Sequence, residues 1–157
     1  METQGTLESC SCAECQAACR FKPGWFTPGE AERVADYLGV SLADLFRTRL
    51  MVDRWGRDRT VFVLSPAVVE VSPGQEFLST TRGQCVFYAE GRCAIHSVKP
   101  FECRAMLHGQ PPTYHAEVAR AWDTPAAQRQ VRLLLGREPI AEEPSILDSL
   151  LGRGSDF

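Results

Sequence analysis

Four of the seven cysteines in this chain lie within ten residues near its beginning. They are Cys10, Cys12, Cys15 and Cys19, and the other three follow much later at Cys85, Cys93 and Cys103. Thiolates are soft ligands, and several of them on one tight turn can converge on a metal ion without a movement of the backbone. All seven cysteines are therefore candidate metal ligands, and a shared site would bring the two regions together in the fold.

Length and composition indicate one folded unit. The 157-residue chain, with 44% apolar residues, can bury one sizeable core. We expect a single domain over 1–157, with a cysteine-cluster metal-binding core at 10–108 and a helical C-terminal extension at 113–157. The formal net charge of −3 gives no overall attraction to nucleic acid or to an anionic membrane. Net charge alone does not identify partners; the cysteines predict a metal ion or cluster as partner, and we expect no membrane partner and no strong nucleic-acid binding.

The chemistry of the cysteines depends on the redox conditions around the protein. The first residues, METQGTLESCSC, contain no apolar segment like that of a secretory signal, and no stretch approaches the roughly 20 apolar residues of a membrane span. These features predict a cytoplasmic protein, in which thiols stay reduced and a disulfide framework is disfavoured. Seven cysteines would also leave one unpaired. Metal binding or thiol redox chemistry is expected instead.

Two helices are predicted after the first cysteine cluster. Thr27 and Glu30 have the spacing of a capping box and predict a helix over 28–38, with a glycine immediately after it as the stop. Ser41 resembles a second N-cap, and apolar residues at helical spacing extend that second helix through Leu50.

The middle of the chain has the pattern of short strands. The β-branched runs 60–64 and 68–71 predict two strands separated by Ser-Pro. The extended runs 85–88 and 92–95 flank a tight turn at 89–91 and predict a hairpin that brings two cysteines together.

The rest of the chain is predicted to be helical. Pro100 suits the first turn of a short helix that carries the last cysteine. Further helices are expected at 115–122 and at 145–151, and another from Thr124, with Gln128 completing a capping box, to a stop at Gly136. The predicted fold is therefore α+β, a small antiparallel sheet surrounded by helices. A Cys-rich metal centre would join the N-terminal loop to the central hairpin and helix.

The spacing within the first cluster favours metal binding. The CxC and CxxC steps of CSCAECQAAC allow backbone N–H groups to point at sulfur, and the CxxxC step lets Cys19 reach the same centre if its segment is helical. Closing the long loop between the two clusters costs about 4 kcal/mol of chain entropy. Structural zinc in small peptides contributes about 10–16 kcal/mol, so a shared site is energetically allowed.

Two motifs resemble those of a known family. The runs CAECQAAC and CAIHSVKPFECR are similar to the signatures of the YkgJ-like cysteine-cluster proteins, which are described as zinc- or iron-chelating domains. Those signatures are an N-terminal CxxCxxCC and a distal CxIYxxRPxxCR, and the resemblance covers about residues 10–108. It implies metal binding and supplies no reaction.

The resemblance assigns six cysteines to the two signatures, namely Cys12, Cys15 and Cys19 to the first and Cys85, Cys93 and Cys103 to the second. Ala18 stands where the family has the first cysteine of its CC pair, and the additional Cys10 is a candidate replacement for that ligand. His96 stands at the usual tyrosine position and Lys99 at the usual arginine position. The roles of these two positions are therefore not expected to depend on the family's usual tyrosine and arginine side chains.

The residues leave the metal open. Four thiolates can hold an iron–sulfur cluster, and seven thiols with one histidine can fill two tetrahedral zinc sites. Iron, as an ion or in an iron–sulfur cluster, is the first expectation because a cluster explains surplus cysteines more easily, and zinc is the alternative. His96 has CxxH spacing from Cys93 and is either a ligand or a surface residue. Arg104 either donates hydrogen bonds to a thiolate-rich centre or extends into solvent.

The leading hypothesis for function is a cytoplasmic protein that chelates metal through its cysteine cluster. A metal-dependent enzyme and a thiol redox switch built on the same cluster are the alternatives. The chain contains neither HExxH nor a PCxxC deaminase signature, and whether it is an enzyme stays open.

Overall fold

The computed structural model describes residues 19–21, 23–57, 60–77, 82–105 and 114–137. The helices are α1 (Glu30–Leu38), α2 (Leu42–Arg49), α3 (Phe101–Ala105), α4 (His115–Trp122) and α5 (Pro125–Leu134), and a 3-10 turn covers His96–Val98. The strands are β1 (Leu50–Trp55), β2 (Val61–Pro66), β3 (Tyr88–Ala89) and β4 (Arg92–Cys93). Helices thus accompany small antiparallel sheets, and the α+β prediction is confirmed. Within these ranges, no helix is both long and apolar enough to cross a membrane.

The two predicted helices form with shifted ends, but the predicted Thr27 cap is wrong: Gly29 is the N-cap of α1 without a side-chain cap, and only Glu30 acts as the capping box predicts, accepting from Thr27 N at 2.7 Å. Helix α1 begins two residues later than predicted because Gly29 has a left-handed φ of 93°, which interrupts the helical path. Gly39 ends α1 in the left-handed conformation, as predicted. The Ser41 side chain accepts a hydrogen bond from Asp44 N at 3.1 Å and caps α2.

The main sheet contains one strand that the sequence pattern did not indicate. Leu50 does not continue α2 but begins β1, which pairs antiparallel with β2 from Leu50 opposite Pro66 to Trp55 opposite Val61. The predicted extension of the helix is wrong because Leu50 is fully buried in this sheet. The predicted strand at 68–71 is also wrong, since Val68 forms only an isolated bridge before the chain turns.

The C-terminal helices share one core with the cysteine region. Buried residues of α1, α2, both long strands, α4 and α5 belong to a single apolar cluster that also includes Cys85. Trp122 Nε1 on α4 donates to the Phe26 carbonyl at 2.6 Å. Gln128 on α5 accepts from Phe62 N at 3.0 Å and donates to Phe62 O at 2.9 Å. The first contact fixes α4 to the segment before α1, and the other two fix α5 against β2.

The sequence predicted these two helices well. Helix α4 has the expected bounds, and the Thr124 side chain caps α5 by accepting from Ala127 N at 3.1 Å. The predicted capping-box role of Gln128 is wrong because its side chain binds β2 and the Trp122 carbonyl instead. The predicted helix at 145–151 lies outside the described residues.

Candidate metal centre

The backbone joins the end of the first cysteine cluster to the beginning of the second. Cys85 N donates to the Cys19 carbonyl at 2.6 Å, and Gly83 N donates to the Phe21 carbonyl at 2.7 Å. Cys10, Cys12 and Cys15 lie outside the described residues. The cysteine of the first cluster that the structure describes is therefore held beside the distal region, as the sequence predicted for the two clusters.

The hairpin and the short helix supply the remaining two cysteines. Cys93 on β4 pairs with Tyr88 on β3, across a two-residue turn in which Glu90 has φ 53° and Gly91 has φ 76°. Two successive left-handed residues are typical of the type I′ turn that matches the twist of a hairpin. The predicted hairpin is confirmed with shorter strands. Cys103 lies on α3, the short helix expected after Pro100.

The thiols of these four cysteines lie close enough to influence one another. Burial raises the pKa of Cys19 to about 11 and that of Cys85 to about 12, and it also raises the pKa values of Cys93 and Cys103. Negative charge on a neighbouring thiol raises these pKa values further. Cys93 raises the pKa of Cys19, Cys19 and Cys93 raise that of Cys85, and all three raise that of Cys103. Coulomb interactions of this kind fall with distance, so the other three sulfur atoms lie within electrostatic range of Cys103.

Backbone hydrogen bonds favour negative charge on all four sulfur atoms and lower their pKa values against the effect of burial, and at Cys19 the amide is that of the residue itself. The amides involved are those of Phe87 and Tyr88 at Cys85, of Ile95 at Cys93 and of Gly24 at Cys103. At Cys85 and Cys93 these amides follow the cysteine by two or three residues, whereas the Gly24 amide reaches Cys103 from a distant part of the chain. The loop conformations are thus suited to thiolates as well as to thiols.

The Lys99 side chain also favours negative charge on two of the cysteine sulfur atoms. The Lys99 ammonium lowers the pKa values of Cys19 and Cys93, against the larger effect of burial. Its Nζ also lies 3.5 Å from His96 Nδ1. Lys99 therefore supplies positive charge beside the thiol cluster.

Gly24 provides the space that Cys103 occupies. A Cβ at position 24 would lie 2.9 Å from Cys103 Sγ, 3.0 Å from Cys103 N and 3.1 Å from Glu102 Cβ. Ordinary van der Waals contact begins at 3.4 Å. Any side chain at this buried position would therefore displace the cysteine or its helix.

The donor chemistry of the cluster suits a soft metal, although its side chains are not arranged as a closed site. The four described cysteines carry free thiols. Over the described ranges, no group of three or more His, Cys, Asp or Glu side chains has the arrangement of a metal site. Thiolate sulfur suits zinc, copper(I) and iron–sulfur clusters. Metal binding would require the thiols to lose their protons and draw together.

Arg104 has a different role from those considered from its position in the motif. It donates to the Lys99 carbonyl at 2.7 Å and to Glu30 Oε2 at 3.1 Å, while its side chain stays partly exposed to solvent. The buried Glu30 also accepts from Phe101 N at 2.9 Å and Thr27 N at 2.7 Å. The pair connects the start of α3 to α1 and thereby fixes the helix that carries Cys103.

A second polar group, formed by Glu102 and His115, lies beside the cluster and was not indicated by any sequence pattern. Glu102 is completely buried, accepts from Trp25 N at 2.8 Å and lies with Oε2 2.5 Å from His115 Nδ1. The His115 ring stacks on Trp25, with ring centroids 3.9 Å apart. Glu102 and Trp25 are 77 positions apart, and no local pattern indicates such a contact.

Comparisons with models of known protein families, with curated proteins and with solved structures gave no match. The resemblance to the YkgJ-like proteins therefore stays a prediction from the two cysteine motifs.

Proposed function

We propose that the protein binds a metal in the cytoplasm through its cysteine cluster. Iron, as an ion or in an iron–sulfur cluster, is the first candidate, and zinc is the second. Cys19 and the three distal cysteines would be the core of the ligand set, and Cys10, Cys12 and Cys15 are further candidates. The bound metal would supply the positive charge that lets several neighbouring sulfur atoms ionise together.

The observation that carries this proposal is the grouping of thiols from distant parts of the chain. Cys19 and Cys85 are connected by a backbone hydrogen bond, the Cys19 and Cys93 thiols raise the pKa of Cys85, and all three thiols raise the pKa of Cys103. Four grouped thiols are more than packing requires, because apolar residues of similar size would fill the same space without mutual repulsion on ionisation.

The hydrogen bonds to sulfur support the same conclusion. A neutral thiol is a weak acceptor and gains little from two backbone amides, whereas a thiolate gains a charge-assisted interaction. Cys85 is approached by two such amides. The Lys99 ammonium likewise favours the ionised forms of Cys19 and Cys93 by lowering their pKa values. These groups would offset part of the negative charge of a metal–thiolate centre.

The same pKa values argue against a thiol redox switch in the metal-free protein. Reactive cysteines have lowered pKa values, because the thiolate is the nucleophile. Each of the four thiols has a raised pKa, with burial as the first cause. Slow oxidation of the metal-free protein is therefore expected, and metal binding is the better use of this cluster.

Elemental analysis of protein purified without oxygen tests the proposal. The wild-type protein should contain near-stoichiometric iron or zinc, and visible absorption should separate a coloured iron–sulfur cluster from colourless zinc. Replacing Cys85 or Cys103 by Ser should remove most of the metal. Ser97→Ala, at an exposed position between these cysteines, is the control and should retain it. Folded wild-type protein without metal would refute the proposal.

A further inference from the structure

His115 lies at the first turn of α4, beside the helix that carries Cys103. Its Nδ1 is 2.5 Å from Glu102 Oε2, and its ring is stacked on Trp25 at an interplanar angle of 23°. In the described part of the chain, both atoms are buried and neither makes a hydrogen bond, so the two meet as a close polar pair. Each of these two atoms therefore depends on the other for its polar contact.

Two successive backbone amides connect this pair to the thiol cluster. The amide of Trp25 donates to Glu102 Oε1 at 2.8 Å, and the preceding amide, that of Gly24, bonds to the Cys103 sulfur. Glu102 and Cys103 are also neighbours on α3. The position of the 24–25 backbone thus determines both the contact to the carboxyl group and the contact to the sulfur.

Burial makes this connection sensitive to the loss of His115. The Glu102 side chain has no exposed surface, and a buried carboxyl oxygen without a partner is unfavourable. Without the imidazole, Oε2 would lose its partner and the Trp25 ring would lose its stacked neighbour. Relaxation of either group would move the backbone at Gly24, which lies against Cys103 without space for a Cβ.

We propose that His115 is a positioning residue for Cys103. Through Glu102 and Trp25, it holds the Gly24 amide against the cysteine sulfur and so fixes the direction in which that sulfur faces the cluster. This inference rests on the proposed metal binding. It assigns a role to a histidine that is not itself among the candidate ligands.

Anaerobic titration of the metal-free full-length chain with Co²⁺ tests the inference, because cobalt–thiolate absorption reports both affinity and geometry. Removal of an outer-shell partner typically weakens metal binding about 10- to 100-fold, and we expect a loss of this size together with shifted absorption bands for His115→Ala. His115→Asn, whose amide can still donate toward Glu102, should recover part of the affinity. Arg120→Ala, at an exposed position on the same helix, should match the wild type.

A second measurement does not use metal at all. Hydrogen exchange of the Gly24 amide in the metal-free chain should be faster in His115→Ala and Glu102→Gln than in the wild type, and unchanged in Arg120→Ala. Equal exchange rates and equal cobalt spectra in wild type and His115→Ala would overturn the inference. Failure of the wild type itself to bind Co²⁺ would instead refute the proposed metal binding, and the role of His115 toward it.

Discussion

Gly24 offers the most direct test of how closely the chain packs around Cys103. In Gly24→Ala, the new Cβ would meet Cys103 Sγ at 2.9 Å, Cys103 N at 3.0 Å and Glu102 Cβ at 3.1 Å. Gly24 is not one of the described glycines that have a positive φ. The penalty is therefore steric and does not come from an unfavourable backbone conformation.

Two opposing effects determine how much Gly24→Ala changes the free energy of unfolding. Overpacking a filled site costs about 1–3 kcal/mol, and the upper part of this range applies because one of the contacts is to backbone and another is to a Cβ. Replacing Gly by Ala also restricts the unfolded chain, which stabilises the fold by about 0.4–1 kcal/mol. The net expectation is a destabilisation of about 1–2 kcal/mol, since the steric cost is the larger effect.

Urea denaturation followed by tryptophan fluorescence measures this difference, because Trp25 and Trp122 are buried. A double-mutant cycle with Cys103→Ala provides the control: without the sulfur atom, the added methyl group should cost less. Gly24→Ala should also weaken metal binding. A variant within about 0.5 kcal/mol of the wild type, with unchanged metal affinity, would refute the packing described here.

Three further tests address other parts of the structure. Glu30→Gln should destabilise the protein by about 1–3 kcal/mol in urea denaturation, because the buried carboxyl group binds Phe101 N and a half-exposed arginine. Gln128→Met should cost about 2–3 kcal/mol by the same assay, because three hydrogen bonds to main-chain atoms are lost, two of them on Phe62. Stability of the metal-free protein should fall above pH 9, since burial raises the pKa of Cys85 from 9.0 to about 12 and the unfolded thiol ionises first. This contribution is fully present below pH 9 and is lost as the pH approaches 12.

Neighbouring positions provide the controls for these tests. Glu32→Gln, on the same helix, should have a smaller effect than Glu30→Gln, and equal effects would contradict the role given to the buried carboxyl group. Arg129→Met, at an exposed position, should leave stability nearly unchanged, and a similar value for Gln128→Met would contradict its bridging role. Constant stability of the metal-free protein from pH 8 to 11 would contradict the burial of the thiols.

Local signals in the sequence predicted much of the fold. Gly39, Ser41 and Thr124 occupy helix ends where their conformational or hydrogen-bonding preferences place them. Glu90 and Gly91 form the hairpin turn. These features depend on residues within four positions of one another, so the sequence contains the information directly.

Features that depend on distant residues were not predictable in the same way. Leu50 continues the apolar spacing of α2, yet pairing with Pro66 places it in β1. Glu102 meets Trp25, and Gln128 binds Phe62, across separations of 77 and 66 positions. Such contacts arise only after the core has assembled, because nothing in the local sequence selects the partner.

The candidate site was predicted in part. The motifs indicated that Cys19 would lie near the distal cysteines, because thiols at these spacings can serve one centre, and the backbone contact to Cys85 agrees with this. The neighbours of the cluster were not indicated. Gly24 and His115 belong to no cysteine motif, and their contacts to Cys103 and Glu102 depend on tertiary packing.

Cys19 and the three distal cysteines are proposed to form one sulfur environment for a metal. X-ray absorption spectroscopy of the metal in anaerobically purified protein counts the sulfur neighbours directly. We expect a shell composed mainly of sulfur, with fewer sulfur neighbours or loss of the metal in both Cys19→Ser and Cys103→Ser. A shell of nitrogen and oxygen alone, unchanged in these variants, would contradict this proposal.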